Sequence, residues 1–376
     1  MARRMNGEGS IVFDGNRKKW VLAFSVNGNR IYRYGKSKAE VKQKLKELQA
    51  RQTQGLSTVT ASMPIRNYLN EWLELKKPNL RTSTYEGYES LIRAHLIPRF
   101  GNIKLNKLTA ETINRIWNKM LDDGHSPSLI HHCHNRLSKA LNDAIRRQLI
   151  DNNPIQYVTK PTTEAKEMHI LDTTQIQHVL RLAKETAYYP IVHTALHTGL
   201  RRNELLGLRW KDIDTHEGMI YLSRSVYQAK GGVTLVQAPK TNSSKRSVTL
   251  PNASSELLQE LRLQQELDSF LHGYKVNENS PIFIRRTGER LLPSAVTHGF
   301  KALVRAIGMD NIRFHDLRHT HASILLKQGE HPKVVQERLG HAKISTTMDV
   351  YSHVMPTLQK EAAQRFNLEL EPASLA

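Results

Sequence analysis

The chain is 376 residues long, enough for two or three domains with cores of their own. Its 55 Lys and Arg outnumber 35 Asp and Glu, giving a formal net charge of +20 spread along the whole length. A globular chain this positive calls for a polyanionic partner, and nucleic acid fits better than a merely solvated basic surface or a ribosome-associated factor. The single cysteine, Cys133, excludes an intramolecular disulfide and a cysteine-based zinc cluster. The stretch from Met1 to Ser10 is basic and lacks the apolar segment of a signal peptide. No apolar run approaches the ~20 residues of a membrane span, so no membrane partner and a cytoplasmic location are expected.

Residues 9 to 55 read as a small module. Ser10 to Phe13, Lys19 to Val26 and Arg30 to Tyr34 have strand character, joined by the turns Asp14-Gly15-Asn16 and Asn27-Gly28-Asn29. Trp20, Leu22, Phe24 and Val26 share one face of the middle strand. Ser37, with Glu40 three residues on, is the capping box of a helix whose apolar stripe is Val41, Leu45 and Leu48. Arg17, Lys18, Lys19, Arg30 and Arg33, with Lys36, make this sheet basic, as a β-ribbon reader of DNA would be.

Residues 61 to 156 read as helical throughout. Ser62 with Pro64 opens one helix and Ser83 with Glu86 a second. Thr109 opens a third, carrying Ile113, Ile116, Trp117 and Met120, and Ser126-Pro127 a fourth. His131, His132 and His134 beside Cys133 fall around this last helix and cannot converge on one ion. After a linker from Asp151 to Met168 the pattern is mixed. Helices are expected near 173–185, 188–197, 201–208, 253–268, 293–307, 315–328, 332–339 and 345–351, and strands at 218–224, 233–237 and 246–250.

The chemistry concentrates in this last region. Thr-Gly-Leu-Arg ends in Arg201, His-Asp-Leu-Arg runs from His315 to Arg318, Leu-Gly-His ends in His341, and Tyr351 follows ten residues later. Arginine forks neutralise non-bridging phosphate oxygens, imidazoles donate or move protons, and a phenol can act as a covalent nucleophile. Arg201 and Arg318 are therefore the natural phosphate clamp. Glu204, three residues after Arg201, is placed to orient it or to form a simple helix ion pair. His315 and His319 share a helix face at metal-ligand spacing, but no carboxylate stands out as a third ligand, so no metal is expected.

These motifs resemble the tyrosine recombinase (phage integrase) family, and the module at 9–55 is similar to the N-terminal arm-type DNA-binding domain of many integrases. The resemblance implies a multidomain α+β chain. Residues 1–57 would be the arm-type domain, a three-stranded sheet plus helix. Residues 61–156 would be an all-α core-site binding domain, and 169–376 a mainly α catalytic domain with a small antiparallel sheet. It also implies the catalytic set Arg201, Lys240, His315, Arg318, His341 and Tyr351. Lys240 would sit on a β-hairpin, with Lys245 and Lys230 as rivals. By the same resemblance the enzyme works without cofactor, as a homotetramer on double-stranded core and arm sites, with DNA-bending and excisionase factors as further partners. A type IB topoisomerase and a catalytically inactive DNA-binding regulator remain the alternatives, and a Xer-like chromosome-resolution role fits the N-terminal module less well.

Overall fold

The computed structural model describes residues 9–15, 17–26, 29–53, 62–163, 168–232, 234–237, 246–350 and 352. The chain divides into two compact units, Met1–Ala165 and Lys166–Ala376.

The first unit opens with the antiparallel sheet β1 (Ser10–Asp14), β2 (Lys19–Val26) and β3 (Asn29–Gly35), in that order. Alternation along β2 sends Leu22 and Phe24 to one face, where both are fully buried against Val41 and Leu48 of α1 (Lys38–Thr53). The Ser37 hydroxyl accepts the Glu40 N–H at 3.1 Å as expected of a cap. The Glu40 carboxylate reaches back to the N–H of Lys36 rather than that of Ser37. Arg33 pairs with Leu22 and so shares the helix-covered face, whereas Lys19 pairs with Asp14 on the opposite face. Arg33 and Lys19 thus lie on opposite faces of the sheet. Arg17 is tied to Tyr34 by a 3.0 Å hydrogen bond, Lys18 occupies the turn with φ 49, and the side chain of Arg30 lies outside the described ones.

A separate apolar cluster holds the helices of this unit. They are α2 (Ile65–Lys76), α3 (Thr82–Leu91), α4 (Ile97–Phe100), α5 (Ala110–Asp122) and α6 (Pro127–Arg146). Thr109 and Ser126 cap α5 and α6 through their side chains. By contrast α2 starts after Pro64 and α3 after Arg81, without side-chain capping bonds, so the expected roles of Ser62 and Ser83 are not what begins these helices. A π-type turn, Ile92–Leu96, precedes Pro98, whose ring lacks the N–H that a regular helix would use there. Trp72, Trp117, Tyr68 and Phe100 are buried at the centre. The Trp72 indole donates to Asp143 at 2.8 Å and the Tyr68 hydroxyl to the Ala140 carbonyl at 2.5 Å. On α6, His131 contacts the Pro161 carbonyl, His132 is exposed and His134 is buried, three different surroundings for the three histidines. Burial lowers the His134 pKa to about 4.

The second unit is built round α8 (Tyr189–Thr198), preceded by α7 (Thr173–Lys184) and followed by the short α9 (Arg202–Leu205). Ile191, Val192 and Ala195 of α8 pack into one core with Leu205, Trp210, Ile220, Val248, Leu258, Phe300 and Leu317. Five short strands follow: β4 (Ile213–Asp214), β5 (Met219–Leu222), β6 (Ser225–Gln228), β7 (Thr234–Gln237) and β8 (Arg246–Thr249). β5 pairs with both β4 and β8, and β6 pairs with β7. The strands β5–β6 and β7–β8 are thus the outgoing and returning arms of one long hairpin, which turns at Lys230–Gly232. The sequence expectation missed β4 and β6. Lys230 occupies the turn. Lys240 and Lys245 themselves lie outside the described residues.

Helices α10 (Asn252–His272), α11 (Pro293–Arg305), α12 (Asp316–Lys327) and α13 (Pro332–Leu339) complete the unit, with a last helix over 344–350. Val350 is buried with Ala322, Leu326, Val335 and Leu339, which anchors the chain immediately before Tyr351. No helix of the described residues is long and apolar enough to cross a membrane.

Candidate active site

The site forms where α8, α9, β8, α12 and α13 end or begin. Gly199 terminates α8 in the left-handed conformation (φ 65), and the chain turns directly into Arg201 at the start of α9. A Cβ on Gly199 would lie 2.5 Å from Leu339 and 2.7 Å from His321, so the turn tolerates only glycine. The Glu204 carboxylate accepts from the Arg201 backbone N–H at 2.9 Å and from its guanidinium at 2.8 Å. Glu204 therefore holds Arg201 at both its backbone and its guanidinium. Its side chain is buried, and burial pushes its carboxyl upward. Arg246 and Arg201 more than offset this and hold its pKa below the usual value.

Arg246, which sequence reasoning missed, comes from β8. It donates to both Glu204 oxygens at 3.3 and 3.2 Å, and its Nε donates to the Arg338 carbonyl at 2.8 Å. Arg318 is 3% exposed and donates to the carbonyls of Gly199 (2.8 Å) and Leu339 (2.7 Å). Arg201 donates to the Gly340 carbonyl at 3.3 Å. Three guanidinium groups thus occupy three successive carbonyls, 338, 339 and 340, at the C-terminal end of α13. That end carries partial negative charge, so it is a favourable place to gather cations. The next residue is His341.

His341 is 8% exposed, and its Nδ1 lies 2.9 Å from the Thr347 hydroxyl on the helix leading to Tyr351. Burial and the charges of Arg318 and Arg201 lower its pKa to about 3. His315 begins α12, with its ring edge-on to His319 at 5.0 Å. Burial, His319 and Arg318 lower its pKa to about 4. Both imidazoles are therefore neutral at pH 7, each able to donate through one N–H. Burial and neighbouring Arg201 lower Arg318 to about 9, which leaves it protonated at neutral pH.

Arg201 bonds to Glu204 and the Gly340 carbonyl and Arg318 to the neighbouring Leu339 carbonyl, His341 follows next in the chain, and both His341 and His315 lie within reach of the Arg318 and Arg201 charges. Tyr351 and Lys240 lie outside the described residues. The candidate DNA contacts Arg17, Lys18, Lys19 and Arg33 belong to the other unit. Among the described residues no group of three or more His, Cys, Asp or Glu is placed to hold a metal ion. Arg201, Arg246 and Arg318 against Glu204 leave two net positive charges. A phosphodiester carries one negative charge, and a five-coordinate phosphorane transition state formally carries two. The site's fixed charge therefore matches the transition state better than the ground state.

This fold and charge pattern agree with the family comparisons. The model of the phage integrase family matches residues 168–357, and that of the phage integrase N-terminal SAM-like domain matches 65–121. The chain belongs to the phage integrase family: it is a tyrosine recombinase, an enzyme that breaks and rejoins DNA. It is 28% identical over 353 residues to a XerC-like tyrosine recombinase of Caldanaerobacter subterraneus subsp. tengcongensis, covering 89% of this chain and 90% of the relative. It is also 28% identical over 346 residues to the ICEBs1 integrase of Bacillus subtilis, covering 88% of each. Among solved structures it is similar to the Tn1549 transposon integrase in complex with transposon right end DNA, with TM-score 0.68 and 21% identity, over 80% of this chain and 100% of that one. A lambda integrase dimer bound to a COC′ core site superposes with TM-score 0.58 and 17% identity, over 93% of this chain and 96% of that one. At such identities the structural likeness is one of fold.

Proposed function

We propose that this recombinase integrates and excises a mobile element by way of a 3′-phosphotyrosyl intermediate at Tyr351. The Tyr351 phenolic oxygen attacks a DNA phosphorus and the bond to the 5′ oxygen breaks. Lys240 gives that departing oxygen its proton. A 5′ hydroxyl from the partner duplex then attacks the phosphotyrosine and expels Tyr351, exchanging strands. Arg201 and Arg318 clamp the non-bridging oxygens, while neutral His341 and His315 donate or relay protons. Each step replaces one phosphoester by another of similar energy, so no ATP is consumed. The guanidinium groups supply the charge neutralisation for which other phosphoryl-transfer enzymes use metal ions.

The observation that carries this reading is the three-arginine cap on carbonyls 338–340, which sets a dicationic pocket beside His341. In the wider assembly, 61–156 would bind the core site and 1–57 the arm sites, through Arg17, Lys18, Lys19, Arg30 and Arg33. Four copies would act on DNA in the cytoplasm, with bending and excisionase factors. The lambda integrase tetramer bound to a Holliday junction, of the same fold (TM-score 0.58), makes this stoichiometry reasonable. The two separate apolar clusters of the first unit support dividing 1–57 from 61–156.

The test begins with purified protein and fragmented genomic DNA from the bacterium that carries the gene. Covalent adducts are isolated under denaturing conditions and sequenced, and a nicked suicide duplex is built on the recovered core. A recombinase gives an adduct at one defined sequence and joins it to a second duplex. Supercoil relaxation with little site preference would indicate the topoisomerase, and absence of any adduct the regulator.

A further inference from the structure

The described arginines of the site do not play equal parts. Arg201 keeps 37% of its side chain exposed, whereas the Arg246 side chain is 8% exposed, with its polar groups committed inside the protein. Its two terminal nitrogens serve Glu204 and its Nε serves the Arg338 carbonyl. It thereby joins three elements: β8, the start of α9 through Glu204, and the end of α13 just ahead of Gly340 and His341. Gly340 shows how tightly the joint is made. Its φ is 67, and a Cβ there would lie 2.7 Å from an Arg246 nitrogen. The glycine of Leu-Gly-His is thus the position over which the Arg246 guanidinium lies.

We propose that Arg246 is a positioning residue for DNA cleavage, a planar three-bond clamp that holds Glu204, and through it Arg201, in register with the α13 turn that presents His341. It also ties the returning hairpin arm, immediately after the segment that contains Lys240, to the same frame. The inference rests on the recombinase reading above. A lysine could pair with Glu204 but could not also reach the Arg338 carbonyl in the same plane, because it has one nitrogen where arginine has three.

The charged groups that act on Glu204 are Arg201 on its own helix, Arg246 on β8 and Arg318 on α12. Without Arg246 the strongest influence holding the Glu204 carboxyl down is lost while its burial remains, so its pKa rises from the wild-type position. The carboxyl then protonates as pH falls, and Arg201 loses its anchor. A residue that served stability alone would not move the pH profile of cleavage in this way.

The experiment measures single-turnover cleavage of the suicide duplex, with protein in excess, from pH 5.5 to 8.5. Wild type, Arg246→Ala, Arg246→Lys and the double variant Arg246→Ala/Glu204→Gln are compared, with the folded fraction taken from thermal melts. Arg246→Ala should cleave about a hundredfold more slowly and Arg246→Lys about tenfold, scaling the roughly 10²–10³ loss typical of an electrostatic donor to one that acts through others. Binding of the same duplex should stay within about threefold. The acid limb of the Arg246→Ala profile should move to higher pH and vanish in the double variant. Arg246→Lys, with its charge retained, keeps the test decisive if Arg246→Ala fails to fold. Cleavage by the folded variants within threefold of wild type, or slower cleavage by folded Arg246→Ala with an unshifted acid limb, overturns the proposal. Absence of an adduct from the wild type overturns the recombinase reading itself, and the role of Arg246 with it.

Discussion

Replacing Gly340 by alanine adds one methyl group, and the structure says where it must go. The residue sits at φ 67, a conformation that costs an L-residue roughly 1–2 kcal/mol. The new Cβ would meet the Arg246 guanidinium at 2.7–3.1 Å. Elsewhere the end of an arginine side chain would swing away at little cost. Here it is buried and bonded to Glu204 and the Arg338 carbonyl, so moving it forfeits at least one hydrogen bond to a charged group, about 1.5–3 kcal/mol. The sum predicts a loss of about 2.5–5 kcal/mol. Urea titration should show the transition of the second unit moving to lower denaturant with an unchanged slope. Molecules that remain folded should cleave more slowly, since Arg201 and His341 are both displaced. A stability loss below about 1 kcal/mol together with normal cleavage would refute the claim that Arg246 is pinned over this glycine.

Three other outcomes follow from the same geometry. Arg318→Lys should reduce single-turnover cleavage by roughly 10²–10³, because one ammonium cannot serve the Gly199 and Leu339 carbonyls and a phosphate together; near-normal cleavage would remove Arg318 from the clamp. His193, His315 and His321 have pKa values lowered to about 4 and His341 to about 3, against 6.5 when unfolded. Between these values the unfolded chain binds more protons, so stability is fully present above about pH 6.5 and each histidine removes up to about 1.4 kcal/mol per pH unit as pH falls. Thermal melts at pH 7, 6 and 5 at constant ionic strength should show a steep fall, and a flat melting temperature would contradict the buried neutral histidines. Finally, Lys240→Ala should be slow on ordinary DNA but rescued when the bridging 5′ oxygen is sulfur, since a thiolate leaves without a proton. Equal impairment on both substrates would transfer the acid role, with Lys245 and Lys230 the next residues to test.

Much of the site was legible because its motifs are local. Thr-Gly-Leu-Arg encodes a left-handed helix end followed by a cation, and Leu-Gly-His encodes another such end followed by an imidazole. What the sequence hid are relations between distant segments. Nothing near Arg246 says that a strand residue 42 positions after Glu204 will neutralise it, although a lone arginine opening an otherwise apolar-alternating strand was a usable signal. Thr347 likewise looks like an ordinary helix residue until His341 lies against it. The small antiparallel sheet was expected, but not its pairing, because alternation reports which face is buried and not which strand is the partner. Helix positions fared better than caps: α2 and α3 form on their apolar faces without the serine caps expected of them.

The most direct test of the central claim is the chemical identity of the DNA-linked residue. Wild-type protein trapped on the suicide duplex is digested with protease and nuclease, and the nucleotide-bearing peptide is sequenced by mass spectrometry. The account predicts a single phosphodiester on the Tyr351 oxygen, joined to the 3′ end of the cleaved strand, and complete loss of the adduct in Tyr351→Phe with binding retained. An adduct of undiminished yield in that variant, or linkage to any other residue, would contradict it.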